Sequence, residues 1–249
     1  MQQALDSQCF EMVLQPKMDL KTNSVIAAEA LVRWRLEDGT YLPPSSFVDI
    51  FEKNLFCSKL DFYMLKKAIQ QIRKWIDMGM NPVNISVNQS KIVFYHENYI
   101  SEIKSLLEEY NVSGSYITLE VLESTVIEDI DMFNSILTEV KKLGFSVSLD
   151  DFGSGYSSLN VLSKLQIDEL KIDRIFLHTK SEVDNQRTKW ILESIIDIAK
   201  KSQILVVVEG VESKQDDLFI KNLGADIGQG YFYGRPLSIS AFNDLIETK

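Results

Sequence analysis

Eight short apolar runs recur along this chain, and most are separated by segments whose apolar residues fall at helical spacing. The runs are Phe10–Gln15, Val25–Trp34, Val83–Asn88, Tyr116–Val121, Phe145–Asp150, Glu169–Ile172, Ile204–Glu209 and Ile227–Gly230. Each is read as a strand, and Phe145–Leu149 has the length and composition of a buried one. Pro43-Pro44 opens the first helical segment, with Phe47, Ile50 and Phe51 on one face. Leu60–Met78, Tyr99–Tyr110, Asp129–Leu143, Ser157–Leu165, Asn185–Lys201, Ser213–Leu223 and Ser240–Glu247 follow, and Gly144 and Gly224 stop two of them. In Asn185–Lys201 the pattern turns Trp190, Ile191, Ile195, Ile198 and Ala199 inward. Eight strands alternating with helices in 249 residues predict an α/β fold, a (β/α)8 TIM-type barrel spanning residues 1–249 as one domain. The polar link Lys17–Ser24 is too short for a crossover helix, so the first strand pair is expected to be antiparallel. Met1–Gln8 reads as a short helix or a tail.

The formal net charge is −10. That argues against a basic face for duplex nucleic acid, and it means that an anionic ligand needs cations beside it. Cys9 and Cys57 form no CxxC pattern, which fits a reducing, cytoplasmic setting. No apolar run approaches 18 residues, so no membrane span is expected in this chain. His96 and His178, both among polar neighbours, are too few for a histidine-rich zinc site or a Ser-His-Asp triad.

What remains is a chemistry of carboxylates. Barrel enzymes gather their sites at the C-terminal ends of strands. Those ends carry Glu29, Asn88, Glu120, Asp150 with Asp151, Lys171, Glu209 and Gln229. Strands packed on both faces are expected to be apolar, so a polar group at seven of eight strand ends is costly unless it is used. Acids and an amide oxygen are hard ligands suited to Mg²⁺ or Mn²⁺. Two such ions can share a carboxylate and clamp an anionic phosphodiester. Lys171, between Leu170 and Ile172, is expected to point into the barrel mouth if those two face the helices, where it orients a water or neutralises a phosphate oxygen.

The same residues carry a family resemblance. Glu29-Ala30-Leu31 stands in A-A-E-A-L-V-R-W, which resembles the signature of the EAL domain, a cyclic di-GMP phosphodiesterase. The likeness continues through Gln15-Pro16, V-N-Q-S (87–90), L-E-V-L-E-S (119–124), D-D-F-G-S-G-Y-S-S-L (150–159), L-K-I-D-R (170–174), V-E-G-V-E (208–212) and Q-G-Y (229–231). It runs from about Phe10 to Leu237 in the family's order.

The resemblance implies hydrolysis of cyclic di-GMP to linear pGpG with two Mg²⁺ or Mn²⁺ ions. It implies Glu29, Asn88, Glu120, Asp150, Asp151 and Glu209 as metal ligands. Lys171 is then the residue that positions or deprotonates the water, with Glu209 and Gln229 beside it. Gln15, Leu31, Arg33 and Glu212 are implied as substrate contacts, and Glu123 as a support for the 152–158 loop with Gly153 and Gly155. A homodimer through the helices after strands five and six is implied too, as is an upstream GGDEF or sensory domain, for which residues 1–9 are a tail or linker. Leu122, Gln89, Val208 and Leu14 depart from the usual threonine, leucine, alanine and tyrosine, and none of them removes a ligand. The competing readings are a non-catalytic cyclic di-GMP receptor, a partner-binding module without nucleotide, and a barrel enzyme with a lysine base and Mg²⁺.

Overall fold

A computed structural model describes residues 1–126, 130–153, 159–177 and 182–247. Nine strands are present: β1 (Phe10–Asp19), β2 (Ser24–Arg35), β3 (Tyr41–Leu42), β4 (Asn84–Gln89), β5 (Ile117–Leu122), β6 (Ser146–Phe152), β7 (Glu169–Ile172), β8 (Leu205–Val208) and β9 (Ile227–Gln229). The helices are α1 (Gln2–Asp6), α2 (Val48–Lys53), α3 (Cys57–Asp77), α4 (Lys91–Phe94), α5 (Tyr99–Tyr110), α6 (Glu123–Val126), α7 (Ile130–Lys142), α8 (Leu159–Lys164), α9 (Glu182–Lys201), α10 (Lys214–Leu223) and α11 (Ile239–Glu247). Among the described residues no helix is long and apolar enough to cross a membrane.

The strands run in the order β1-β9-β8-β7-β6-β5-β4-β2, and β1 pairs with β2 to close an eight-stranded barrel; β3 only extends the tip of β2. The antiparallel first pair is present, and β1 is antiparallel to β9 as well. The other seven barrel strands are mutually parallel. The reason is length, as only Leu20–Asn23 connect β1 to β2. The expected boundary of the first strand is corrected here. Lys17, Met18 and Asp19 belong to β1 and not to a polar turn, with a bulge in the pairing at Lys17/Met18.

Alternation sorts each strand. Ile85, Val87, Leu119, Val121, Val147, Leu149, Leu170, Ile172, Val206 and Val208 join the buried core under the helices. The opposite parity carries Ser86, Thr118, Glu120, Ser148, Glu169 and Lys171, all buried. The barrel strands are therefore not apolar on both faces as expected: their inner face is lined by polar groups, most of which are hydrogen-bonded, while Ser148 Oγ has no partner among the described residues. Three helix-face expectations also fail: Ile50, Trp190 and Ile191 are exposed. His96 is exposed, while His178 lies outside the described residues.

Candidate active site

Lys171 is the hub of the barrel mouth. Its side chain is 1% exposed, and Nζ lies 2.8 Å from Glu209 Oε1, 2.9 Å from Glu120 Oε2, 3.0 Å from Asp150 Oδ1 and 3.6 Å from Glu29 Oε2. These partners come from four separate places, β2, β5, β6 and the residue after β8, so barrel closure itself assembles the cluster. Burial alone would lower the lysine's pKa, but the ring of carboxylates overrides it and raises it well above the ordinary value. Nζ is therefore an ammonium, and its N–H groups are donors.

The amides hold the acids in place. Asn88 Nδ2 donates to Glu29 Oε1 at 3.0 Å, and Gln229 Nε2 donates to Glu29 Oε2. Asp151 adopts a left-handed backbone at φ 58°, a conformation costing a non-glycine residue roughly 1 kcal/mol or more. There its N–H donates to Asp150 Oδ1 at 2.9 Å. Gly153 follows at φ 97°, and a Cβ there would meet the Phe176 ring at 2.2 Å, so this position takes no side chain. Gly155 and the rest of segment 154–158 lie outside the described residues, as does any contact of Glu123 with them. Glu123 itself is buried at the start of α6.

A second lysine, unanticipated in the sequence, underlies the first. Lys17 is fully buried, and Nζ donates to Ser86 Oγ at 2.7 Å, Glu120 Oε1 at 2.8 Å and Glu169 Oε1 at 2.9 Å. Glu169 and Lys17 raise each other's importance: among the described residues six clustered carboxylates (Glu29, Glu120, Asp150, Asp151, Glu169, Glu209) face two ammonium groups (Lys17, Lys171). The consequences differ by position. Burial raises the pKa of Glu120, but Lys17 and Lys171 outweigh it and hold that carboxylate at about 2. For Glu209, burial outweighs the pull of Lys171, and with Asp150 and Glu29 nearby the pKa rises to about 8. Glu29, Asp150 and Asp151 are also raised, first by burial.

That imbalance fits a cation site. Asp150, Asp151 and Glu209 each offer an oxygen within 4.8 Å of the others. All are hard donors suited to Mg²⁺ or Mn²⁺, and two divalent ions would match the four charges that the lysines leave uncompensated. Gln229 Oε1 is buried and, among the described residues, has no hydrogen-bond partner.

Two cavities open beside the cluster. One of about 290 Å³ lies against β2 and β4 and is mostly apolar, with Leu31, Leu60, Met64, Asn88 and Leu122 in its wall. Asp61 of α3 also lines it; burial lifts this carboxyl to about 7 although Ser90 N–H and Oγ donate to it. The other, of about 190 Å³, is lined by Gln15, Glu29, Arg174, Glu209, Glu212, Gln229 and Tyr231. Of the four residues implied as substrate contacts, Leu31 thus falls in the first cavity and Gln15 and Glu212 in the second. Arg33 stands on the part of β2 that rises past the barrel with β1, and its Nη1 donates to the Val32 carbonyl at 2.8 Å.

Comparisons with known proteins agree with this architecture. The family model described as the EAL domain matches residues 1–236. The chain is 32% identical over 237 residues to the bifunctional diguanylate cyclase/cyclic di-GMP phosphodiesterase MucR of Pseudomonas aeruginosa, covering 95% of this chain and 34% of that protein. It is 33% identical over 246 residues to the cyclic di-GMP phosphodiesterase NbdA of the same organism, covering 99% of this chain and 31% of that one. The chain therefore spans about a third of these relatives' length. A solved structure of the PaMucR phosphodiesterase in complex with c-di-GMP superposes with a TM-score of 0.88 at 32% identity, over 97% of both chains. The EAL enzyme Bd1971, in its cAMP- and cyclic-di-GMP-bound form, superposes with a TM-score of 0.89 at 29% identity, over 98% of this chain and 66% of that one.

Proposed function

The chain belongs to the EAL domain family, and from that premise we propose that it hydrolyses cyclic di-GMP to linear pGpG with Mg²⁺ or Mn²⁺. The observation that carries this reading is the complete set of polar groups at the mouth: Lys171 ringed by Glu29, Glu120, Asp150 and Glu209, with Asp151, Asn88 and Gln229 beside them. A non-catalytic receptor has no need of the whole set, so the enzyme reading is favoured over it.

In this reading Asp150, Asp151 and Glu209, with Glu29, Glu120 and Asn88, would hold two ions. The chemistry supplied by bound ions would be a lowered pKa for a water and an offset to phosphate charge. The chain's own groups supply the orientation. Asn88 and Gln229 fix the Glu29 carboxylate from both sides. The Lys171 ammonium donates to the water oxygen or to a phosphate oxygen, a role that needs no proton transfer from the lysine. The water oxygen bonds to phosphorus in line with the departing sugar oxygen as the P–O3′ bond breaks; the water sheds a proton to solvent and O3′ takes one from solvent, leaving the 5′-phosphate and 3′-hydroxyl of pGpG. The two cavities flanking the cluster suit a substrate with two bases, with Leu31 against one half and Gln15 and Glu212 against the other. Arg33 meets a phosphate from the hairpin above. Incubation with cyclic di-GMP and Mg²⁺, followed by chromatography, tests the reading: pGpG is expected, and unchanged substrate refutes it.

The reading extends to context. A cyclic-dinucleotide enzyme with two free cysteines suits the cytoplasm. An upstream GGDEF or sensory domain is part of the proposal, and the relative MucR bears a diguanylate cyclase activity in its name. Self-association through the helices after β6 and β7 draws support from Trp190 and Ile191, which stand exposed on α9. Light scattering of Trp190→Ala beside wild type checks this: a shift from dimer toward monomer is expected, and an unchanged mass refutes that surface.

A further inference from the structure

The mechanism above leaves one fully buried charge unused, that of Lys17. It projects from β1, which runs against the other seven barrel strands, and its ammonium bonds Ser86 of β4, Glu120 of β5 and Glu169 of β7. In the ring of strands β5 and β7 stand three places from β1 on either side, so the side chain crosses the barrel to reach them. Glu169 lies two residues below Lys171 on the same strand, which places Lys17 one layer beneath the mouth. Glu120 bridges the layers. Its Oε1 accepts from Lys17 at 2.8 Å and its Oε2 from Lys171 at 2.9 Å.

We propose that Lys17 is a positioning residue for the phosphodiesterase: anchored by Ser86 and Glu169, it takes one oxygen of Glu120, so that only the other is presented to the metal site. The inference rests on the reading of Glu120 as a metal ligand. A carboxylate free to rotate about its last bond offers either oxygen, or both, to a cation. One whose Oε1 is held from below offers Oε2 alone and keeps a fixed angle to Asp150 and Glu209. Outer partners of this kind commonly alter metal affinity by 10- to 100-fold. The lysine also carries a charge that opposes a cation, so a simple loss of Lys17 mixes two effects of opposite sign. Glu169 supplies the control, since removing both charges leaves the net charge of the buried layer as it was.

The test is calorimetric titration with Mg²⁺ alone, without nucleotide, of wild type, Glu169→Gln and the double variant Lys17→Met/Glu169→Gln. Glu169→Gln keeps the bond from Lys17 to Glu120 and is expected to stay within about 3-fold of wild type. The double variant is expected to bind Mg²⁺ about 10- to 100-fold more weakly. Its turnover at saturating Mg²⁺ should recover far more than its half-saturating Mg²⁺ concentration does. A purely structural role would lower the melting temperature and leave the affinity of the folded protein unchanged, and a folded double variant with wild-type affinity overturns the proposal.

A second measurement needs no variant. A crystal structure of the wild-type chain with Mn²⁺ should show Glu120 bound through a single oxygen, with the other still within hydrogen-bond distance of Lys17. Bidentate Glu120, or Lys17 turned away from it, refutes the assignment, as does a wild-type protein that binds no Mg²⁺. Wild type that binds Mg²⁺ yet leaves cyclic di-GMP intact refutes the phosphodiesterase reading only, and the Lys17 result is then read from the calorimetry alone.

Discussion

Asp61 gives the sharpest quantitative prediction. Its carboxyl sits on α3 at the wall of the apolar cavity, where Oδ2 accepts from the Ser90 N–H at 2.9 Å and from Ser90 Oγ. Burial lifts its pKa from 3.8 to about 7, outweighing the two donors, and Glu52 adds to the rise. A raised carboxyl pKa means that the folded state holds this proton more tightly than the unfolded chain. Its share of stability is fully present below about pH 3.8 and is lost as pH rises toward 7, where the folded group also ionises. Between pH 5 and pH 8 that span covers about two pKa units, an upper bound of roughly 3 kcal/mol. Asp61 is only partly shielded, because it faces an open cavity, and screening there reduces the figure to about 1–2 kcal/mol.

Asp61→Asn removes the titration and keeps an oxygen that accepts from Ser90. Urea unfolding of both proteins at pH 5 and pH 8 isolates the residue, since every other titrating group is common to the pair. The variant should gain about 1–2 kcal/mol relative to wild type on going from pH 5 to pH 8, or roughly 2–8 °C in melting temperature for a chain of this length. A difference between the two proteins that stays constant with pH refutes the argument that Asp61 is held protonated by burial.

Four further outcomes follow from the site. Chelation should abolish hydrolysis and Mg²⁺ or Mn²⁺ restore it, with Ca²⁺ a poor substitute. Because burial pushes Glu209 up to about 8, protons compete with the cation, and the Mg²⁺ needed for half-maximal rate should fall as pH rises from 6.5 to 8.5; a flat dependence counts against Glu209 as a ligand. Lys171→Ala should retain substrate binding but lose at least about 100-fold in turnover, with a lower melting temperature in chelator that Mg²⁺ restores, since Glu120, Asp150 and Glu209 lose their shared partner; near-wild-type turnover removes Lys171 from its role. Glu123→Ala should weaken Mg²⁺ affinity and turnover together by about 10- to 100-fold, and superimposable Mg²⁺ titrations would leave Glu123 without a part in the site.

Much of the architecture was legible because it depends on period and length. Strand runs of period two alternating with helical stripes leave few alternatives to a barrel, and a link of a few residues cannot cross over. Glu29, Glu120, Asp150, Lys171, Glu209 and Gln229 converge as expected because every parallel strand delivers its end to the same rim. The outward Trp190 and Ile191 show the limit of periodicity. An apolar stripe wider than the sheet can cover reads as buried throughout, and only the packing decides which edge stays in solvent. Asp61 had a usable signal. It lies four residues after Cys57 and three and four before Met64 and Leu65, all buried, so helical spacing already placed an acid on the inner stripe of α3.

Lys17 was hidden for a different reason. Pro16 and the polar residues around it suggested that the strand had ended, and a lysine in a turn needs no explanation. Its parity with Gln15 was the overlooked clue, because in a continuing strand both side chains share a face. The structure shows why a lysine is tolerated there. An inner face carrying Glu120 and Glu169 requires a buried cation from somewhere, and Lys17 of β1 meets them across the barrel. The lower lysine neutralises part of the acid load within the fold. The upper acids, Glu29, Asp150, Asp151 and Glu209, keep raised pKa values because burial, with their carboxylate neighbours adding to it, outweighs the pull of Lys171. In the proposed reading this division assigns one part of the charge to folding and leaves the other for ions, so cation binding at the mouth would also contribute to stability.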